Sequence, residues 1–199
     1  MTVKGERARR SEATREKLLR TARRLFARRG YSDVGTEEIV RRAGVTRGAL
    51  YHHFRDKKDL FRAVFVAVEN ELIERIAAEA LSQPEPMEQL RRGCTLFLDA
   101  ALEPEVQRIA LIDAPAVLGW QEWREVGRAG IDLVALGLEG AMEAGAIERQ
   151  PLIPLSHVIV GALDEGALYV AQAEDVEKAR AEAGLVFARL IDSLQPRRR

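Results

Sequence analysis

The chain has 199 residues, with 31 Lys and Arg set against 31 Asp and Glu, three His and a single Cys. That length suits one or two compact domains, and the lone cysteine excludes both an internal disulfide framework and a cysteine-cluster metal site. Charge interrupts every apolar stretch, so no membrane span is expected, and the opening MTVKGERARR lacks the apolar core of a secretory signal, which predicts a cytoplasmic protein.

The balanced charge hides an asymmetry. Residues 1–62 carry 18 Lys and Arg against 8 Asp and Glu, a net of +10, and the remainder of the chain compensates. A solvated helix face can produce such a run by itself; coincidence with a nucleic-acid-reading motif would give it a function. Residues 1–10, with Lys4, Arg7, Arg9 and Arg10, form a basic arm expected to be unstructured, serving either as a solubilising tail or as a phosphate or minor-groove contact. A helix is predicted over 11–30, with Leu18, Ala22, Leu25 and Phe26 on the buried stripe and Arg20, Arg23, Arg24 and Arg28 mostly outside.

The next segment, TEEIVRRAGVT, places Ile39, Val40 and Ala43 at helical spacing behind Thr36, which can cap or donate its hydroxyl, and closes on Gly44, free to take positive φ. A second short helix follows, with Thr46 as its cap, running from Arg47 to about His53. Two helices joined by a turn this short must cross steeply, which leaves the second free to enter a major groove. Its first residues, Arg47, Gly48 and Ala49, would approach base edges, Arg47 as the reader of guanine. Tyr51 and His52 would hold phosphates. Lys57, behind Asp56 as a cap, stands at the start of the following helix, where free N–H groups already favour an anion.

The run Gly48 to Leu60 fits G-x-L-Y-x-H-F-x-x-K-x-x-L in full, and with Ala43-Gly44-Val45 and Gly30-Tyr31 it resembles the TetR (tetracycline repressor-like) family of bacterial transcription regulators. Two positions depart from the family's usual pattern. Val40 stands in place of Ala, and Val34-Gly35 replaces a Thr/Ser pair, which leaves Thr36 as the hydroxyl for phosphate. The resemblance covers about the first third of the chain. It implies an all-α protein of about nine helices: a helix-turn-helix head over 11–56 and a helical ligand-binding and dimerisation body over 57–196, followed by a basic tail at 197–199.

Within that body, a long helix continues from Lys57 through Leu60, Phe61, Val64, Phe65, Val68, Leu72 and Ile76 to the Pro84/Pro86 turn, joining head to body without a flexible linker. Further helices are predicted over 87–102, 105–112, 116–145, 152–172 and 175–194, divided at Pro104, Pro115 and Pro151/Pro154. The last two are apolar on more than one side, which calls for a second packing partner. Self-association supplies one, and the resemblance places a homodimer interface here, at Ile159, Ala162, Gly166, Val186, Phe187 and Leu190. A dimer presents two reading helices on one face, hence a pseudo-palindromic double-stranded DNA operator.

By the same resemblance, Phe97, Trp120, Trp123, His157, Asp164 and Tyr169 surround a cavity for a small, partly apolar effector. The plainer alternatives are core or interface aromatics and a satisfied His–acid contact. No phosphate loop, HExxH, G-x-S-x-G or Cys/His nucleophile arrangement occurs, so no enzyme activity, cofactor or metal is expected. The reading is a homodimeric DNA-binding regulator, a repressor released by its ligand. The alternative is a ligand-independent structural DNA-binding factor of the same fold.

Overall fold

The computed structural model describes residues 3–196, with side chains from Gly5 onward; the expected basic tail at 197–199 lies outside the described residues. These residues are helical throughout and contain no strand. Helix α1 (Val3–Arg29) starts well before the predicted boundary at Ser11, so the basic arm continues the helix. Nothing between Gly5 and Ser11 breaks it, and Arg, Ala and Glu propagate a helix that Phe26 and its neighbours already anchor. It stops at Gly30, whose φ of 78° a side chain would resist.

Helices α2 (Thr36–Ala43) and α3 (Arg47–His53) form the helix-turn-helix at the expected bounds. Gly44 (φ 65°) closes α2, with its N–H and that of Val45 returning to Arg41 and Val40. The cap of α2 is Gly35 rather than Thr36, which is the first helical residue. Leu18, Ala22, Phe26, Ile39 and Leu50 form the middle of the head, and Leu60, Phe61, Val64 and Phe65 of α4 (Lys57–Ala80) pack into the same cluster. Phe61 meets Phe26 and Tyr31 edge-on at centroid separations of 5.2 and 5.1 Å. Head and body therefore share one core, and α4, about 36 Å long at 1.5 Å per residue, runs through both.

The body contains α5 (Pro86–Ala100), α6 (Pro104–Val106), a π-helical segment (Gln107–Asp113), α7 (Ala114–Leu118), α8 (Trp120–Val126), α9 (Arg128–Glu143), α10 (Leu152–Gln172) and α11 (Val176–Asp192). Two predicted elements divide. The helix expected over 116–145 is three, separated at Gly119, with φ of 88°, and at Gly127. Glycine sacrifices the most backbone entropy in a helix, so these two positions yield to tertiary packing. The helix expected over 105–112 widens into π geometry, which lets the chain reach Pro115 although the proline ring cannot stack on the carbonyl four residues back.

Helix α10 is central, packed against α5, α9, α11 and the π segment. It is long and apolar enough by composition to cross a membrane, contrary to the expectation that no span would qualify. A third of that stretch is buried, with Ile159, Val160, Leu163, Ala167 and Val170 in the body's core. Two residues expected at a subunit interface are also internal. Ile159 is 2 % exposed and Phe187 is 7 % exposed, and a Cβ on Gly166 would meet the Phe187 ring at 2.9 Å. Both helices turn a second face outward, through Val158 and Tyr169 on α10 and Leu185, Val186 and Leu190 on α11. The twofold apolarity was legible in the sequence, but the assignment of faces required the packing.

Candidate DNA interface and effector cavity

The hydroxyl of Thr46 accepts the Ala49 N–H at 3.1 Å and so caps α3. With Leu50 anchored in the core, α3 turns Arg47, Gly48, Tyr51 and His52 to the surface, while Ala49 is half-buried. The Arg47 guanidinium lies 5.6 Å from the Tyr51 ring centroid and 3.8 Å from Glu37, both exposed contacts that DNA can exchange at little cost. Thr36 is half-buried, and its hydroxyl has no hydrogen-bond partner among the described residues. Lys57 does not point freely outward. Its ammonium sits 4.0 Å from the Tyr31 ring centroid, and partial burial pulls its pKa below the usual lysine value. Asp56 caps α4 by accepting the Asp59 N–H at 2.8 Å.

A second connection between head and body bypasses α4. Arg23 of α1 forms a two-pronged pair with Glu105, at 2.9 and 2.7 Å, and also reaches Glu71. These acids push its pKa further up, so the charge is permanent. The Tyr31 N–H donates to the buried Asp113 carboxylate at 2.7 Å, and Arg108 pairs with the same oxygen at 3.2 Å. On α4, Arg62 binds Glu122 of α8 at 2.7 Å. The Glu105 and Asp113 contacts thus tie α6 and the π segment to the head directly, while Glu122 ties α8 to α4. None of this was visible in the sequence, because the partners are far apart in the chain.

Two adjoining chambers open inside the body, with Phe97, Gly130 and Val160 lining both. The first, of about 60 Å3, is apolar, walled by residues such as Ile73, Ile76, Leu90 and Leu133. The second, of about 40 Å3, has a polar end made by Glu69 of α4, Arg124 of α8 and Asp164 of α10. Arg124 pairs with Asp164 at 2.9 Å. Burial nevertheless outweighs that pair and raises the Asp164 carboxyl to about 6. Glu69, 9 % exposed, has no hydrogen-bond or ion-pair partner among the described residues, and burial together with the Asp164 charge pushes it up to about 7.

Of the predicted cavity residues, Phe97, Trp123 and Asp164 converge on these chambers, with the Trp123 indole N–H pinned to the Ala110 carbonyl at 3.2 Å. Trp120 is 70 % exposed and lines an outer groove together with His157, while Tyr169 stands on the outer face of α10. Glu69 and Arg124 escaped the sequence reading. A signal existed for the first: Phe65, Glu69, Leu72 and Ile76 occupy one helical stripe, and an acid on an apolar stripe is displaced from water.

An exposed arginine-bearing helix set in a basic head, carried by an all-helical body with an internal cavity, defines a helix-turn-helix DNA-binding regulator. Residues 18–64 match the family described as bacterial regulatory proteins, tetR family, and residues 87–194 match the tetracyclin repressor-like C-terminal domain. The chain belongs to the TetR family. A TetR-family transcriptional regulator from Pectobacterium atrosepticum is 35 % identical, with a TM-score of 0.87 over 96 % of this chain and 98 % of that one. The HTH-type transcriptional regulator AcrR of Shigella flexneri is 34 % identical over 102 residues, 51 % of this chain and 47 % of that protein. The HTH-type transcriptional repressor BepR of Brucella suis is 32 % identical over 99 residues, 48 % of this chain and 46 % of that one. The chain spans about half the length of these curated relatives.

Proposed function

We propose that this protein is a cytoplasmic, homodimeric repressor that binds a pseudo-palindromic operator and leaves it when a small, partly apolar effector enters the two chambers. The observation that carries the DNA reading is the capped helix α3, which presents Arg47, Gly48, Tyr51 and His52 on one outward face. In this reading Arg47 reads a base edge, Gly48 and Ala49 allow close approach, and Thr36, Thr46, Tyr51, His52 and Lys57 position the phosphates. Lys57 would leave the Tyr31 ring to reach its phosphate. The outward apolar faces of α10 and α11 support the dimer, with Val186 and Leu190 kept from the predicted interface set and Val158, Tyr169 and Leu185 added.

Release follows from the size of the chambers. They are too small for a drug-sized molecule without displacement of their walls. Those walls include α4 and the π segment, which hold the head through the shared core and through Asp113, and α8, which is tied to α4 through Glu122. A ligand that fits the displaced arrangement better weakens the DNA-binding one, and about 1.4 kcal/mol of coupling lowers operator affinity tenfold.

Selection of random duplex DNA by the purified protein, followed by anisotropy titration, tests this reading. Enrichment of an inverted repeat bound by a dimer is expected. Binding without any enriched sequence would replace the operator reading with non-specific DNA coating.

A further inference from the structure

The chambers combine a large apolar wall with one carboxylate that none of the described residues satisfies. The Asp164 and Arg124 charges cancel within their 2.9 Å pair. Glu69 is left over: it is nine-tenths buried, lines the polar chamber, and keeps its oxygens open to that chamber rather than sealed in the core. A buried carboxylate without a partner is costly, and an incoming group of opposite charge removes that cost. We propose, building on the effector reading above, that the effector is an apolar molecule bearing a single protonated amine-type nitrogen, and that Glu69 receives that nitrogen while the apolar chamber takes the hydrocarbon part.

The chemistry discriminates among ligand classes. An anion would face two carboxylates, Glu69 and Asp164, against one guanidinium already engaged. A neutral alcohol could donate a hydrogen bond but would leave the Glu69 charge uncompensated. A monocation brings the chamber to neutrality. The pinned Trp123 ring lines the same chamber and offers an aromatic surface suited to a cation. The other residues lining this chamber are uncharged, among them Phe97 of α5, Ala110 and Leu111 of the π segment and Gly130 of α9. His157 touches Arg124 from the outer groove, at 3.5 Å, and is the one further titratable side chain bonded to the set among the described residues. Because Glu69 without ligand titrates near 7, cation binding competes with a proton and weakens on acidification.

Three probes of matched length and apolar area separate the possibilities: phenylbutylamine, phenylbutanol and phenylbutyrate, titrated calorimetrically into the full-length protein at about pH 8, where Glu69 is ionised. The amine is expected to bind at least about tenfold more tightly than the other two. Glu69→Gln should abolish that preference while leaving phenylbutanol affinity within about threefold, which also certifies an intact fold. If the variant fails to fold, wild-type titrations decide instead. Amine affinity should drop about thirtyfold between about pH 8.5 and 5.5, with phenylbutanol unchanged. Equal or tighter binding of the alcohol or the carboxylate, no amine binding, or a pH-independent amine affinity overturns the proposal. Operator binding read in parallel separates the two readings. Amine binding through Glu69 that leaves DNA affinity unchanged would refute the release mechanism and keep the ligand chemistry, whereas release by the alcohol or carboxylate alone would do the reverse.

Discussion

Replacing Glu69 by Gln should stabilise the ligand-free protein, and only at neutral to alkaline pH. In the folded state this carboxyl is raised from 4.5 to about 7. At roughly 1.36 kcal/mol per pH unit, that corresponds to about 3 kcal/mol of destabilisation once the group is fully ionised. The sign follows from proton linkage. Between the unfolded value and about 7 the folded protein holds more protons than the unfolded chain, so stability falls as pH rises through this window and is restored as pH drops toward 4.5. A buried amide loses part of the benefit, because its own polar atoms remain poorly partnered, at a cost of about 1–3 kcal/mol. The net gain at about pH 8 is thus on the order of 0–2 kcal/mol, or up to roughly 8 °C in melting temperature for a chain of this size. Asp164, raised to about 6 by burial, contributes to the pH trend in both proteins. Thermal melts at about pH 5 and about pH 8, at one fixed protein concentration because dimerisation shifts the midpoint, provide the assay. Variant and wild type that keep the same difference at both pH values would show that Glu69 is solvated or paired, and would refute the strained-carboxylate reasoning.

Lys57→Ala should weaken binding to every DNA sequence and reduce the slope of log affinity against log salt by about one; an unchanged slope in anisotropy titrations would leave Lys57 on the Tyr31 ring and off the phosphates. Val186→Glu, placing a charge on the exposed face of α11 without disturbing the core, should give monomers in sedimentation experiments and abolish operator binding; a dimer that survives would move the interface to another face. Asp113→Ala removes the acceptor of the Tyr31 N–H and the partner of Arg108. It should cost about 1–3 kcal/mol in stability and blunt the response of DNA affinity to ligand. A variant that is destabilised but still fully responsive would show that the coupling runs through α4 or the Arg23–Glu105 pair and not through Asp113.

The head was legible in the chain because its determinants are local. Thr46 caps α3, Asp56 caps α4 and Gly44 ends α2 through interactions spanning only a few residues, and the apolar stripe of α1 repeats within one helix. Phe97, Trp123 and Asp164, which the resemblance places round a cavity, line the chambers, whereas Trp120 and Tyr169, of the same residue types, stand outside them, so residue type alone did not select the lining. Local reasoning failed where two signals competed. Between 116 and 145 the apolar period argued for one helix, whereas Gly119 and Gly127 allowed breaks, and only packing against α4 and α9 chose the breaks.

Composition, helical period and capping residues by themselves determined an all-helical protein with a basic helix-turn-helix head, because these depend on contacts within one or two turns of chain. Tertiary structure decided which side of a doubly apolar helix faces inward, burying Ile159 and Phe187 while exposing Val186 and Leu190. It also decided which charges find partners, giving Asp164 to Arg124, Asp113 to Tyr31 and Arg23 to Glu105, and leaving Glu69 without a partner among the described residues at the polar end of the second chamber. Desolvation and pairing depend on what lies across space, and a one-dimensional pattern holds no record of that.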